Sequence, residues 1–213
     1  HVLAPKILAT SAKNAGVKNF IQVSNIGADK NSISKSLRSR RYGEIEVQNI
    51  YPHSTIIRPS LIFGENDAFF YRFAKMARFS PFLPLIDGGK NLFQPVFVDD
   101  VSLAITKIIK QKNFSGHIYE LGGPKIYSFK ELLKYLLLQI NKKRILLNFN
   151  GNILFFPALM MSYYPFPVIT LDQIKTLKLD NIVNTKQKTF NNLKIIPLEL
   201  EKIMPPYLLK FKN

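Results

Sequence analysis

Between residues 1 and 125, apolar strand-like runs alternate with stretches of helical period, and that order leaves few folds open. Residues 3–15 read as an amphipathic helix stopped by Gly16 at a C-cap position. "VKNFIQVSN" (17–25) is a short apolar strand, residues 36–50 are helical, and "STIIRPS" (54–60) is a second strand. "IFGEND" (62–67) reads as a turn and residues 68–79 as a helix with Phe69, Phe70, Phe73 and Phe79 as core. "FQPVFV" (93–98) is strand-like but broken by Pro95, Asp99 and Asp100 offer N-cap oxygens to a helix over 101–112, and "HIYELG" (117–122) is a further strand. Such alternation predicts an α/β fold, a parallel sheet joined by crossover helices.

Beyond residue 127 the pattern turns helical and proline-punctuated. Two capping boxes stand out: "SFKE" (128–131) opens a helix to about residue 140, and "TLDQ" (170–173) opens one to about residue 179. The division expected from this change is residues 1–127 and residues 128–213. The glycine pairs in "DGGK" (87–90) and "LGGP" (121–124) read as turns rather than phosphate loops, because no G-x-G-x-x-G occurs.

Composition narrows the chemistry. The chain has no cysteine, which removes disulfides, a thiolate nucleophile and cysteine-held metal clusters. Its three histidines, His1, His53 and His117, have no metal-ligand spacing. A formal net charge of +16 suits either lysines spread over solvated faces or an acidic membrane or protein surface. No nucleic-acid-binding motif accompanies the charge, so nucleic acid is not an expected partner. The most apolar stretch, 153–169, contains Pro157, Pro165 and Pro167 and falls short of the roughly 18 residues a spanning helix needs. It reads as a core hairpin or as a surface that docks on a membrane-bound complex.

The ordered set "GVKNFIQVSNIGAD", "SLRSRRYGE", "STIIRPSLIFGENDAFFYRFA", "FQPVFVDDVSLAI" and "YELGGP" resembles the atypical short-chain dehydrogenase/reductases of the NAD-dependent epimerase/dehydratase type. "TLDQIKTLKLDNIV" and the ending "LKIIPLELEKIMPPYLLKF" are similar in particular to the NAD(P)H-binding accessory subunits of respiratory complex I and their bacterial relatives. The resemblance implies the C-terminal part of a doubly wound (Rossmann) parallel sheet over 1–127, with a small, mostly helical subdomain over 128–213. It also implies that the glycine-rich half of the dinucleotide site lies outside this sequence. The cofactor it implies is NAD or NADP, and the partners are subunits of a membrane-bound respiratory complex or an acidic membrane surface. The location it implies is cytoplasmic or matrix-side, peripheral to the inner membrane.

Reductases of this class place a tyrosine four residues before a lysine on a helix. At the matching positions this chain has Ser36 and Arg40, while its own helical tyrosine, Tyr42, is followed four residues on by Glu46. A serine hydroxyl is a far weaker acid than a phenol, and an arginine cannot exchange protons near neutral pH. Arg40 can still fork two donors onto ribose or phosphate, unless it is a solvated helix-face charge. The resemblance further places Ser24 and Asn25 at a strand end facing the ligand crevice, with Ser24 the one catalytic candidate. Pro59, Ser60, Leu61 and Ile62 lie along the nicotinamide by the same resemblance; the plainer alternatives are local turns. The expected function is cofactor binding without catalysis. An active reductase or epimerase of a small substrate is the first alternative, and a basic membrane-surface module with a vestigial dinucleotide fold is the second.

Overall fold

A computed structural model describes residues 1–111, 116–149 and 170–212. Helix α1 (Leu3–Asn14) stops where the sequence says it should. Gly16 sits at φ +70°, and the amides of Gly16 and Val17 reach back to Lys13 and Ala12 carbonyls at 3.0 and 2.9 Å. Glycine reaches that left-handed cap at little steric cost. α1 lies along α2 (Lys35–Ile50).

Three strands, β1 (Ile21–Val23), β2 (Thr55–Pro59) and β7 (Ile118–Leu121), pair in parallel in the order β1-β2-β7. Their register sets Val23 opposite Ile57 and Ile57 opposite Tyr119. Every residue of β2 is buried, as expected of a parallel strand covered on both faces. Among the described residues β1 is an edge strand of this sheet, and its Val23 is exposed.

The remaining strands form pairs. β3 (Ile62–Phe63) runs parallel to β6 (Val96–Phe97), and β5 (Leu92–Phe93) is antiparallel to β8 (Tyr127–Ser128). β4 (Phe82–Ile86) is parallel to β9 (Ile145–Phe149). Helices α3 (Phe70–Phe79), α4 (Val98–Lys110), α5 (Phe129–Gln139), α6 (Leu171–Leu177) and α7 (Leu200–Leu208) complete the α/β fold.

Both capping boxes form: Ser128 Oγ accepts from the Glu131 amide while Glu131 takes the Ser128 amide, and Thr170 and Gln173 do the same. Three expectations need correction, and two strands are added. Ile62 and Phe63 are strand rather than turn, because Leu61 carbonyl accepts the Val96 amide and fixes the pairing; the turn begins at Gly64. Asp99 and Asp100 do not cap α4, which starts at Val98 without a side-chain cap. Asp100 is instead buried and accepts the Leu198 amide at 2.8 Å, binding the C-terminal segment to the first turn of α4. Strands β4 and β9 have no signature in the sequence, because a short, mostly apolar strand cannot be told from a helical stretch by periodicity. Phe69, Phe70 and Phe73 are core, but Phe79 is exposed at the end of α3. The stretch 153–169 lies outside the described residues.

The two larger apolar clusters among the described residues each combine residues from both sides of position 127. One gathers Phe69, Phe70, Phe73 and Phe93 with Phe129, and with Leu200, Met204 and Leu208 of α7. The other sets Ile57, Val96, Val101 and Tyr119 against Phe190, Leu193 and Ile195. Among the described residues, no helix is long and apolar enough to cross a membrane.

Candidate functional site

Because β1 and β2 are parallel, the chain leaves both at the same sheet end, and Ser24 and Asn25 emerge beside Pro59 and Ser60. The Ser24 amide donates to Ile57 carbonyl at 2.7 Å and the Ile26 amide to Pro59 carbonyl at 3.1 Å, extending the ladder past Val23. The Ser24 side chain is buried, and its Oγ has no hydrogen-bond partner among the described residues. A buried hydroxyl without a partner costs about 1–3 kcal/mol, and this one is free to bond a polar group brought to the strand end.

Ser60, although at the same end, is committed elsewhere. Its Oγ donates to Asn181, at 2.8 Å from the backbone carbonyl and 2.6 Å from Oδ1. Leu61 packs against the larger core cluster, and Ile62 is strand β3. Of the predicted cofactor contacts, Ser24, Asn25 and Pro59 are gathered at one strand end, whereas the Ser60 hydroxyl is spent inside the protein.

Ser36 and Arg40 lie one turn apart on α2, as their spacing predicts. Arg40 is half-buried and makes no ion pair among the described residues. Burial lowers its guanidinium below the usual arginine value, against the raising effect of the Glu44 carboxylate one turn on. Glu44 itself is taken by Arg41 and Arg58. Tyr42, the phenol of α2, is 47% exposed.

The start of α2 is closed by a residue that sequence reading had no means to find. Asp172 of α6 accepts the Lys35 amide at 2.6 Å on one oxygen. Its other oxygen accepts the Ser36 amide at 2.9 Å and the Ser34 hydroxyl at 2.8 Å. Ser34 Oγ takes the Leu37 amide, so these three first-turn donors are all used and none is left for a phosphate. The helix carrying Ser36 and Arg40 is thereby pinned from 138 residues away.

Burial alone would raise the Asp172 carboxyl, but bonds from Ser36, Ser34 and Lys35 outweigh it and hold the group below its ordinary value. The sign follows from that direction. A depressed folded-state pKa contributes stability above the unfolded value near 3.9 and loses it as pH falls through the folded value. Asp172→Asn is therefore expected to cost about 1–2 kcal/mol at neutral pH. The deficit should shrink below about pH 4, measured by urea unfolding of both proteins across pH.

The other missed cluster is ionic. Arg58 of β2 grips Glu44 of α2 through Nε and Nη2, at 2.9 and 2.6 Å, and reaches Glu120 of β7 at 3.3 Å. Burial alone would lower the Arg58 guanidinium; the bonds and charges of Glu44 and Glu120 raise it instead. Glu120 also accepts the Asn184 amide at 2.8 Å. The network joins the frame helix, two strands and the returning C-terminal chain.

The "LGGP" stretch is neither a phosphate loop nor a simple turn but a close crossing of backbones. Gln94 clasps it, donating to Gly123 carbonyl at 2.7 Å and accepting the Val183 amide at 3.0 Å. "DGGK" is a turn, with Gly88 and Gly89 both at positive φ.

No protein-family model matches the chain. Among curated proteins, NADH dehydrogenase [ubiquinone] 1 alpha subcomplex subunit 9, mitochondrial, of Mus musculus is 34% identical over 199 residues. That match covers 92% of this chain and 52% of the mouse protein. The Arabidopsis thaliana protein of the same name is 32% identical over 223 residues, covering all of this chain and 56% of the relative. Along its whole length, this chain is a homologue of that subunit family. The chain spans about half the length of the curated relatives it matches. The fold is independently similar to a UDP-glucose 4-epimerase of Thermotoga maritima solved with UDP-glucose, at TM-score 0.71 and 16% identity. That likeness covers 100% of this chain and 70% of the epimerase and speaks to the fold.

Two of the predicted contacts, Ser24 and Arg40, keep polar groups that a ligand could use. They offer a buried hydroxyl without a partner at a strand end and a half-buried guanidinium outside any ion pair among the described residues. Neither is a proton donor of the reductase kind.

Proposed function

We propose that the protein to which this chain belongs is an NAD(P)H-binding, non-catalytic accessory subunit of a respiratory NADH:quinone oxidoreductase. On this reading it works beside other subunits of that complex, on the matrix or cytoplasmic side and peripheral to the inner membrane. Residues 1–127 then form the C-terminal half of a doubly wound dinucleotide domain, and residues 128–213 form a smaller part laid across it.

The observation that carries the non-catalytic reading is α2. Its spacing frame is kept and held in place by Asp172 and Glu44, yet the frame holds Ser36 and Arg40, and its phenol, Tyr42, is exposed. A bound dinucleotide supplies a hydride, but the frame on α2 holds no phenol–ammonium pair to move the accompanying proton. Arg40 is suited to hold ribose or phosphate oxygens, Ser24 to orient the nicotinamide end, and the backbone after Pro59 to line it.

Denaturing the purified full-length protein and assaying the supernatant is expected to release a stoichiometric amount of NAD(P)H. Absence of any dinucleotide, with none taken up on addition, would overturn the reading. Arg40→Ala in the same protein is expected to weaken cofactor binding by about 1–3 kcal/mol, roughly 5- to 150-fold. Titration of nicotinamide fluorescence measures it, and unchanged affinity would make Arg40 a plain helix-face charge.

A further inference from the structure

The end of the molecule where α3 and α5 stop and β4 and β9 begin is apolar at its tip and basic around it. Phe79 is 78% exposed, Leu138 76%, Ile145 59% and Phe82 43%. They belong together because Phe82 and Ile145 are paired residues of the two strands, the Ile145 amide donates to Pro81 carbonyl at 3.0 Å, and α3 packs on α5. Arg144 closes the same end, donating from Nε to Ala77 carbonyl at 2.7 Å. Alternation along β4 explains the exposure: Leu83 and Leu85 face the core, which turns Phe82 outward.

The charge here has one sign. Lys75, Arg78, Lys142, Lys143 and Arg144 flank the tip, and no Asp or Glu occurs in residues 68–86 or 132–149. Among the described residues, none of these five cations is in a salt bridge. Solvent exposure of four large apolar side chains is unfavourable, and clustering five uncompensated cations beside them adds repulsion. Both costs vanish against an anionic bilayer, where apolar groups enter an acyl boundary while cations meet anionic headgroups.

We propose that this end is a docking surface for an anionic lipid bilayer, with Phe79, Phe82, Leu138 and Ile145 entering the headgroup region and Lys142 and Lys143 pairing with lipid phosphates. The proposal does not depend on the cofactor reading, since none of these residues lies near Ser24 in the chain or in the sheet. It makes the described part of the chain itself a membrane contact.

The test is co-sedimentation of the full-length protein with extruded vesicles, either pure phosphatidylcholine or equimolar phosphatidylcholine and phosphatidylglycerol. Wild type should bind the anionic vesicles and leave the neutral ones in solution. Each lysine near an anionic leaflet is worth about a fivefold gain, so Lys142→Glu/Lys143→Glu should weaken binding by more than about 25-fold at low salt. Phe79→Ser/Leu138→Ser should remove the fraction that survives high salt, roughly a tenfold loss or more, with its unfolding transition unchanged because both side chains are already in solvent. Equal binding to neutral vesicles, or wild-type binding by both variants, overturns the proposal. So does failure of wild type to bind vesicles alongside capture by an acidic protein surface.

Discussion

Replacing Arg58 by methionine is expected to cost about 3–5 kcal/mol of folding stability, a large share of the roughly 5–15 kcal/mol a domain has. The guanidinium holds two carboxylates that have almost no contact with water: Glu44 has no exposed side-chain surface and Glu120 only 6%. Removing the cation leaves Glu44 with Arg41 alone and Glu120 buried with only the Asn184 amide, which is dearer than the loss of the pair itself. Reducing the stranded charge should reverse most of the damage. The triple variant Arg58→Met, Glu44→Gln, Glu120→Gln is therefore expected to recover a substantial part of the loss. Denaturant midpoints at neutral pH decide the matter. A single variant within about 1 kcal/mol of wild type would mean that water reaches the cluster and screens it.

Gly123→Ala should be comparably damaging for a reason that involves no charge. A Cβ at Gly123 would stand 1.9 Å from Pro95 carbonyl oxygen and 3.1 Å from its carbon. Neither is the movable end of a side chain, so a strand of the core or the β7 exit has to shift. Gly122 is scarcely freer, with Gln94 Cδ at 2.6 Å and Val183 Cγ2 at 2.8 Å. The expected loss is about 3 kcal/mol or more, read as a fall in thermal midpoint or as failure to accumulate folded protein. Gly16→Ala is the control: its Cβ would meet nothing within 4 Å, and the strained φ of +70° costs about 1 kcal/mol. Equal effects at the two positions would show that the crossing at Pro95 yields easily.

What the sequence determined by itself is what short-range chemistry writes. The stop of α1 at Gly16 and the starts of α5 and α6 at Ser128 and Thr170 were legible, because each depends on residues three or four apart. Strand–helix alternation sufficed for an α/β fold with a parallel sheet, since parallel strands need crossovers and β2 is buried on both faces. The spacing of Ser36 and Arg40 placed both on one helix, because side chains four apart share a face.

The tertiary structure alone decided which side chains are spent and which are left over. Ser60 gave no local sign of a partner, yet Asn181, 121 residues on, takes its hydroxyl. Asp100 looked like a cap until the Leu198 amide, 98 residues on, took its carboxylate. Asp172 lay inside a recognised capping box, yet its work is at the start of α2. Arg58, Glu44 and Glu120 read as ordinary charges in a basic chain, and only the parallel register of β2 and β7 brings Arg58 opposite Glu120. Phe79 read as core because its period fits; it is exposed because α3 ends there and the chain turns into β4. Local pattern fixes backbone states through neighbours in sequence, whereas partners of polar groups and the reach of the core depend on contacts between distant segments.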